Sequence, residues 1–144
     1  MAFDLILRNA RIANGDGDGE AADLLQDIGI TDGAIAAVAP GLAGDGEALD
    51  LAGCLVSPGL VETHIHLDKS RIMDRCSASP NRGTDHMKRV SAVKPGFTVE
   101  DVHARAGASL EACISHGCTH MRTHVELDPN VGMKSFDALK QLAK

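Results

Sequence analysis

The stretch "VSPGLVETHIHLDK", residues 56–69, decides how the chain is read. Val61, Thr63 and Ile65 alternate with Glu62, His64 and His66. That is the period of a β-strand, whose side chains switch face at every residue. His64 and His66 therefore point the same way at the strand's end. Pro58 and Gly59 break the chain just before the run, as expected at a strand entry. Two readings follow. The strand presents polar residues to water, or two imidazoles converge on one metal ion.

Downstream, residues 67–97 show no clear period and contain Pro80 and Pro95. They read as a loop of ~30 residues, a length that in a compact domain is usually functional or disordered. Thr98–His116 reads as a helix. Thr98 and Asp101 resemble a capping box, with Asp in place of the preferred Glu. Val99, Val102, Ala106, Leu110 and Ile114 share one helical face, and Gly117 fits the position just past the end. "CTHMRTHVELD", 118–128, returns to period 2. Met121, Thr123 and Val125 take one face, and His120, Arg122 and His124 the other. Ser135 is placed to cap a second helical pattern, "FDALKQLAK".

Upstream, residues 1–57 read as short strands. Leu5, Leu7 and Ile12 are the apolar positions of the first. Asp32-Gly33 lies between two apolar runs and signals a hairpin. "NGDGDGE", 14–20, opens like a calcium-binding EF-hand loop at Asn14, Asp16, Asp18 and Gly19. The closing Glu is replaced by Leu25 and the flanks are strands, so an acidic turn is the better reading. These strands are too few to close a sandwich alone. The order strand, loop, helix, strand, loop, helix after residue 58 implies parallel strands joined by crossovers.

The 144 residues amount to one ordinary domain by length. With 44% apolar residues, no Trp, no Tyr and three Phe, the core must be built from Ala, Val, Leu and Ile. A formal net charge of −6 argues against a general nucleic-acid or membrane-surface binder. Cys54, Cys76, Cys113 and Cys118 have no paired spacing and read as reduced thiols, with Cys113 and Cys118 expected in the core. No apolar run approaches the ~20 residues of a membrane helix. A soluble cytoplasmic protein is expected.

His-x-His at a strand end suits a divalent metal, because neutral imidazole is a common nitrogen ligand for Zn or Fe. In α/β barrels the chemistry sits at the C-terminal ends of the strands. Two ligands are only part of a catalytic site, which usually takes three or more. Arg122 and His124 are candidates for the pocket or for contacts behind the ligands. Asp68 and Lys69 read first as an ion pair shaping the loop and second as substrate contacts. His86, His103 and His116 carry no motif and read as surface residues.

The Pro-Gly entry and the His-x-His strand end resemble the first barrel strand of the amidohydrolase superfamily, metal-dependent hydrolases built on a distorted TIM barrel. "HLDKS" at 66–70 and "GCTHMRTHVELDP" at 117–129 resemble the cytosine deaminase branch, which includes triazine-ring aminohydrolases. "DLILRNARI" and "DIGITDGAIAAV" are similar to the opening strands of that family's small β-sandwich.

The resemblance implies an α/β fold with two parts. Residues 1–57 would form the N-terminal part of the small β-sandwich, and 58–144 the first two βα units of a TIM-type barrel, truncated there. It implies His64 and His66 as the first two ligands of one divalent ion, Zn or Fe. The family's later ligands and its proton-shuttling Glu have no counterpart among these residues, so the catalytic residues proper stay unassigned.

The expected activity of the complete protein is deamination of a cytosine-like or triazine-like ring by metal-activated water, with this chain alone inactive. The expected partners are a small heterocyclic substrate and either further copies of the chain or a complementing chain, with no nucleic acid and no membrane. The alternative is a non-catalytic metal-binding or interaction fragment that needs a second chain to complete its fold.

Overall fold

The computed structural model describes residues 2–13, 24–76 and 86–143. The acidic turn 14–20 lies outside them. The chain divides into two compact units, Met1–Pro58 and Gly59–Lys144.

The first unit is a five-stranded mixed sheet built around β1 (Ala2–Ile12). β2 (Gln26–Thr31) pairs with it antiparallel, and β3 (Ala34–Ala39) pairs antiparallel with β2. On the other side β4 (Asp45–Asp50) and then β5 (Leu55–Val56) pair with β1 in parallel. The β2–β3 connection is the expected hairpin. Asp32 and Gly33 both adopt the left-handed conformation, at φ 52° and 72°, which a two-residue turn of this hand requires.

Along β1 the buried residues are Phe3, Ile6 and Ala10, joined by Ile28 of β2. The apolar residues expected there, Leu5 and Leu7, are only half-buried. The reason is a break in strict alternation. β1 shifts register against β4 between Ala2 and Leu5, and against β2 between Leu7 and Ala10. Asn9 turns left-handed within that second shift, at φ 54°. Asp27 holds the irregularity in place. Its carboxylate accepts from the Asn9 N–H at 3.0 Å, from Arg8 at 2.7 Å and from the Leu42 N–H at 3.0 Å. Burial alone would raise its pKa, but these three donors outweigh burial and hold it below the usual value.

The second unit carries two parallel strands, β6 (Leu60–Ile65) and β7 (Cys118–Thr123). Three α-helices accompany them: α1 (His86–Val93), α2 (Val99–Ser115) and α3 (Lys134–Leu142). Ile65, Leu67, Met121 and Val125 pack with Ala106 of α2 and Leu139 of α3. A second cluster joins Ile72, Phe97, Val102, Val131 and Ala138. α2 and α3 thus cover one face of the strand pair, the face of Ile65 and Met121.

α2 starts as expected, with Thr98 Oγ1 accepting from the Asp101 N–H at 3.1 Å. The returning half of a capping box is missing, because the Asp101 carboxylate binds Arg75 and Arg105 instead. Gly117 follows the helix at φ 88°.

Two expectations fail. The segment 67–97 is not a plain loop: its described residues form short 3₁₀ turns at Leu67–Lys69, Met73–Arg75 and Lys94–Gly96, as well as α1. α1 has no fully buried residue, and only Val90 and Val93 pack, half-buried, against the cluster of Ile72 and Phe97, so its apolar stripe is short. Ser135 does not cap α3. It is buried inside the first turn, and Met133 takes the cap position without a side-chain bond.

Candidate active site

β6 ends at the candidate site. Gly59 stands at its entry, and a Cβ built there would collide with the Thr119 side chain on β7. Only glycine lets the two strands approach this closely. The pairing runs on past the regular strands. The His124 N–H donates to the Ile65 carbonyl at 2.8 Å, and the Leu67 N–H donates to Thr123 Oγ1 at 3.2 Å. These bonds set His124 level with the end of β6.

Three imidazoles meet there, on the opposite face from Ile65 and Met121. The ring centroids of His64 and His66 are 5.5 Å apart, those of His64 and His124 4.1 Å, and those of His66 and His124 5.6 Å. Partial burial lowers the pKa of His124, and the charges of His64, His66 and Arg122 add to the effect. Arg122 itself is exposed.

The donor chemistry suits a Zn- or Fe-class ion. An ion ~2.1 Å from one nitrogen of each of two rings leaves their centroids roughly 5 Å apart, close to the His64–His66 separation. Among the described residues no three His, Cys, Asp or Glu side chains are arranged as a complete ligand set. The residues fit a metal as a partial site.

Asp68 and Lys69 do not pair with each other. Both turn to Glu126, just past β7. Asp68 is buried, and its Oδ2 accepts from the Glu126 N–H at 3.1 Å. Lys69 Nζ meets the Glu126 carboxylate at 2.9 Å. The loop is shaped by these residues, but through a partner just beyond the next strand.

Glu126 also receives Lys94, at 2.7 Å, and Lys94 reaches Asp128 at 3.1 Å. Lys94 is only 5% exposed. Burial opposes its charge, yet Glu126 and Asp128 outweigh burial and raise its pKa. Lys94 first and Lys69 second hold the Glu126 carboxyl below its usual range. Asp128 Oδ1 in turn accepts from the N–H groups of Asn130 and Val131, a turn set by Asp-Pro-Asn. Lys69, Lys94 and Glu126 line a hollow of about 290 Å³ together with His66, His86 and Met87. That volume is near the lower end for small-ligand sites, ~300 Å³.

Sequence reasoning missed Lys94 and Arg105. The signal for Lys94 was faint: Glu126 and Asp128 recur at strand period and need a cation. His86 and His116 are exposed as expected, whereas His103 is half-buried. His120 is exposed at the start of β7. Cys113 and Cys118 are half-buried rather than core, and both line a second hollow with Leu60, Val61 and His116.

No family model matches the chain. Its homologues and structural neighbours are nevertheless enzymes of the amidohydrolase superfamily. The N-isopropylammelide isopropyl amidohydrolase of Pseudomonas sp. (strain ADP) is 29% identical over 144 residues, 95% of this chain and 34% of its own length. A crystal structure of N-isopropylammelide isopropylaminohydrolase from Burkholderia multivorans superposes with a TM-score of 0.73 at 28% identity, covering 95% of this chain and 33% of that one. One of 5-methylcytosine deaminase from Klebsiella pneumoniae, liganded with 5-fluorocytosine, gives 0.74 at 31% identity, covering 96% and 33%. The chain thus spans about a third of the length of these relatives. No described helix is long and apolar enough to cross a membrane.

Proposed function

We propose that this chain carries the first metal-ligand strand of a metal-dependent amidohydrolase that deaminates a cytosine-like or triazine-like heterocycle. The observation that carries the reading is the pair His64 and His66, facing the same way at the end of β6, with His124 of the neighbouring strand beside them. In this reading β6 and β7 are the first two strands of a TIM-type barrel, and residues 1–57 belong to the accompanying β-sandwich. The working compartment is the cytoplasm.

His64 and His66 would hold one Zn or Fe ion. When bound, such an ion supplies Lewis-acid activation of water for attack on a ring carbon bearing an amine. Glu126, fixed by Lys69 and Lys94, gives the hollow beside His66 a rigid polar wall. His124 stands beside both rings, its charged form disfavoured by partial burial. Further ligands and a proton shuttle are needed to complete the catalyst.

The test is metal content and ammonia release. Zn or Fe stoichiometry should fall in a His64→Ala, His66→Ala double variant, measured against the parent by elemental analysis. Unchanged stoichiometry removes the assignment. Ammonia release from cytosine, isoguanine and aminotriazines tests the substrate class.

The second reading is a non-catalytic metal-binding or interaction fragment that needs a second chain to complete its fold. In that case activity or tight metal binding appears only on mixing with the complementing chain.

A further inference from the structure

Asp68 is 1% exposed, and its Oδ1 is buried without a hydrogen-bond partner among the described residues. A buried carboxylate oxygen left unpaired is costly, so one in a native protein calls for an explanation. The other oxygen is committed, because Oδ2 accepts from the Glu126 N–H at 3.1 Å. The backbone around Asp68 is held as well: its carbonyl accepts from Arg105 at 3.2 Å, and the Ser70 carbonyl from the same guanidinium at 2.6 Å. The side chain is therefore fixed at both ends, with one oxygen free. That oxygen stands 3.9 Å from His66 Nδ1.

This separation is too long for a hydrogen bond, but closing it to the ~2.8 Å of a charge-assisted bond takes a shift of only roughly 1 Å. The His66 side chain is 41% exposed and has room to rotate. A carboxylate can only accept. Once the gap closes, Nδ1 must carry the proton, and the lone pair on Nε2 is left for a metal.

We propose that Asp68 is the positioning residue that fixes His66 in its Nδ1–H tautomer, leaving Nε2 as the ligand atom. The proposal rests on the reading of His66 as a metal ligand, and it adds the device that makes this histidine competent before any ion arrives. A carboxylate behind a metal-binding imidazole orients the ring and raises its basicity.

The substitution Asp68→Asn makes the idea sharp. The Glu126 N–H needs an acceptor, so it retains the amide oxygen. The amide NH₂ then faces His66 Nδ1 as a donor. Nδ1 must accept, the proton moves to Nε2, and the ligand atom is blocked.

The experiment is two-bond ¹H–¹⁵N correlation NMR of the histidine rings in the full chain without metal, in mildly alkaline buffer where imidazole is neutral. It is paired with Zn titration by calorimetry. The expected result is an Nδ1–H pattern for His66 in the parent. In Asp68→Asn the pattern should be Nε2–H, with Zn affinity lower by roughly 10–100-fold. An Nε2–H pattern in the parent overturns the proposal, and it needs no variant to fold. An unchanged tautomer in a folded Asp68→Asn variant overturns it too. An Nδ1–H pattern in a parent that binds no Zn upholds the role of Asp68 and overturns the metal reading instead.

Discussion

Arg105 Nη1 lies 2.6 Å from the Ser70 carbonyl oxygen, so a guanidinium in the second turn of α2 fastens the segment that follows His66 and Asp68. The same group binds Asp101 and sits 4.7 Å above the Phe97 ring. Arg105 is 7% exposed and joins helix, loop and aromatic core at one point. Replacing it by Met leaves the Asp68 and Ser70 carbonyls without their donor, at a cost of about 2–4 kcal/mol. Arg105→Lys keeps the charge but not the fork, and should fall between. Urea unfolding of the three proteins checks the order, and a Met variant as stable as the parent contradicts it.

Lys94 joins Glu126 and Asp128, and its removal should be felt at both. Lys94→Met should cost about 1–3 kcal/mol, less than a fully buried pair, because both carboxylates are partly exposed and Glu126 keeps Lys69. It should also let the Glu126 pKa rise, since Lys94 is the foremost cause holding it down. Carboxyl ¹³C titration reads that shift. A Glu126 titration identical in both proteins argues against the geometry.

Acid should loosen the α2 start. Asp101 binds Arg75 through both oxygens, at 2.7 and 2.9 Å. Arg75 first, then Arg105 against the opposing effect of burial, lowers its pKa from 3.8 to about 2. A carboxyl whose folded pKa is depressed stabilises the fold above its unfolded pKa, ~3.9. That contribution, on the order of 1 kcal/mol once solvent screening at Arg75 is allowed for, disappears as the pH falls from about 4 towards 2. In Asp101→Asn the loss over that window should be smaller than in the parent. Parallel acid melts test this, and equal slopes would count against it.

Gly59 and Thr119 should prove energetically coupled. A Cβ at Gly59 meets the Thr119 side chain, so Gly59→Ala alone should destabilise the β6–β7 pair. Thr119→Gly removes the obstacle. A double-mutant cycle should give a favourable coupling of about 1 kcal/mol, and strict additivity would show that the strands part without strain.

The shared face of His64 and His66 was legible in the sequence, but strict alternation through "VETHIH" was not borne out: β6 shifts register against β7 between Leu60 and Val61 and again between Glu62 and Ile65, and Val61 and Thr63 are exposed. The hairpin at Asp32-Gly33 was legible because few residue pairs tolerate two left-handed conformations in a row. The burial series of β1 was not, since register shifts at both ends of the strand override its alternation. α1 escaped because its apolar stripe is only about two turns long, with Val90 and Val93 half-buried. The partnership of Asp68 and Lys69 with Glu126 escaped because contacts across 58 and 57 residues leave no local trace. The meeting of His124 with His64 and His66 was half visible: the face was readable, but its height depends on the bond from His124 to Ile65.

The alternation along β6 has a further consequence. Ile65 and Leu67 face the helices, while His64 and His66 face away from them. Each letter of this short stretch therefore answers to one demand only. Changes at the odd positions 65 and 67 are judged by how well the protein stays folded. Changes at 64 and 66 leave that packing against the helices in place and, in the proposed reading, alter what the protein can hold. The two kinds of substitution can accumulate independently of each other, so the same scaffold can be retuned for temperature or for ligand without one adjustment undoing the other.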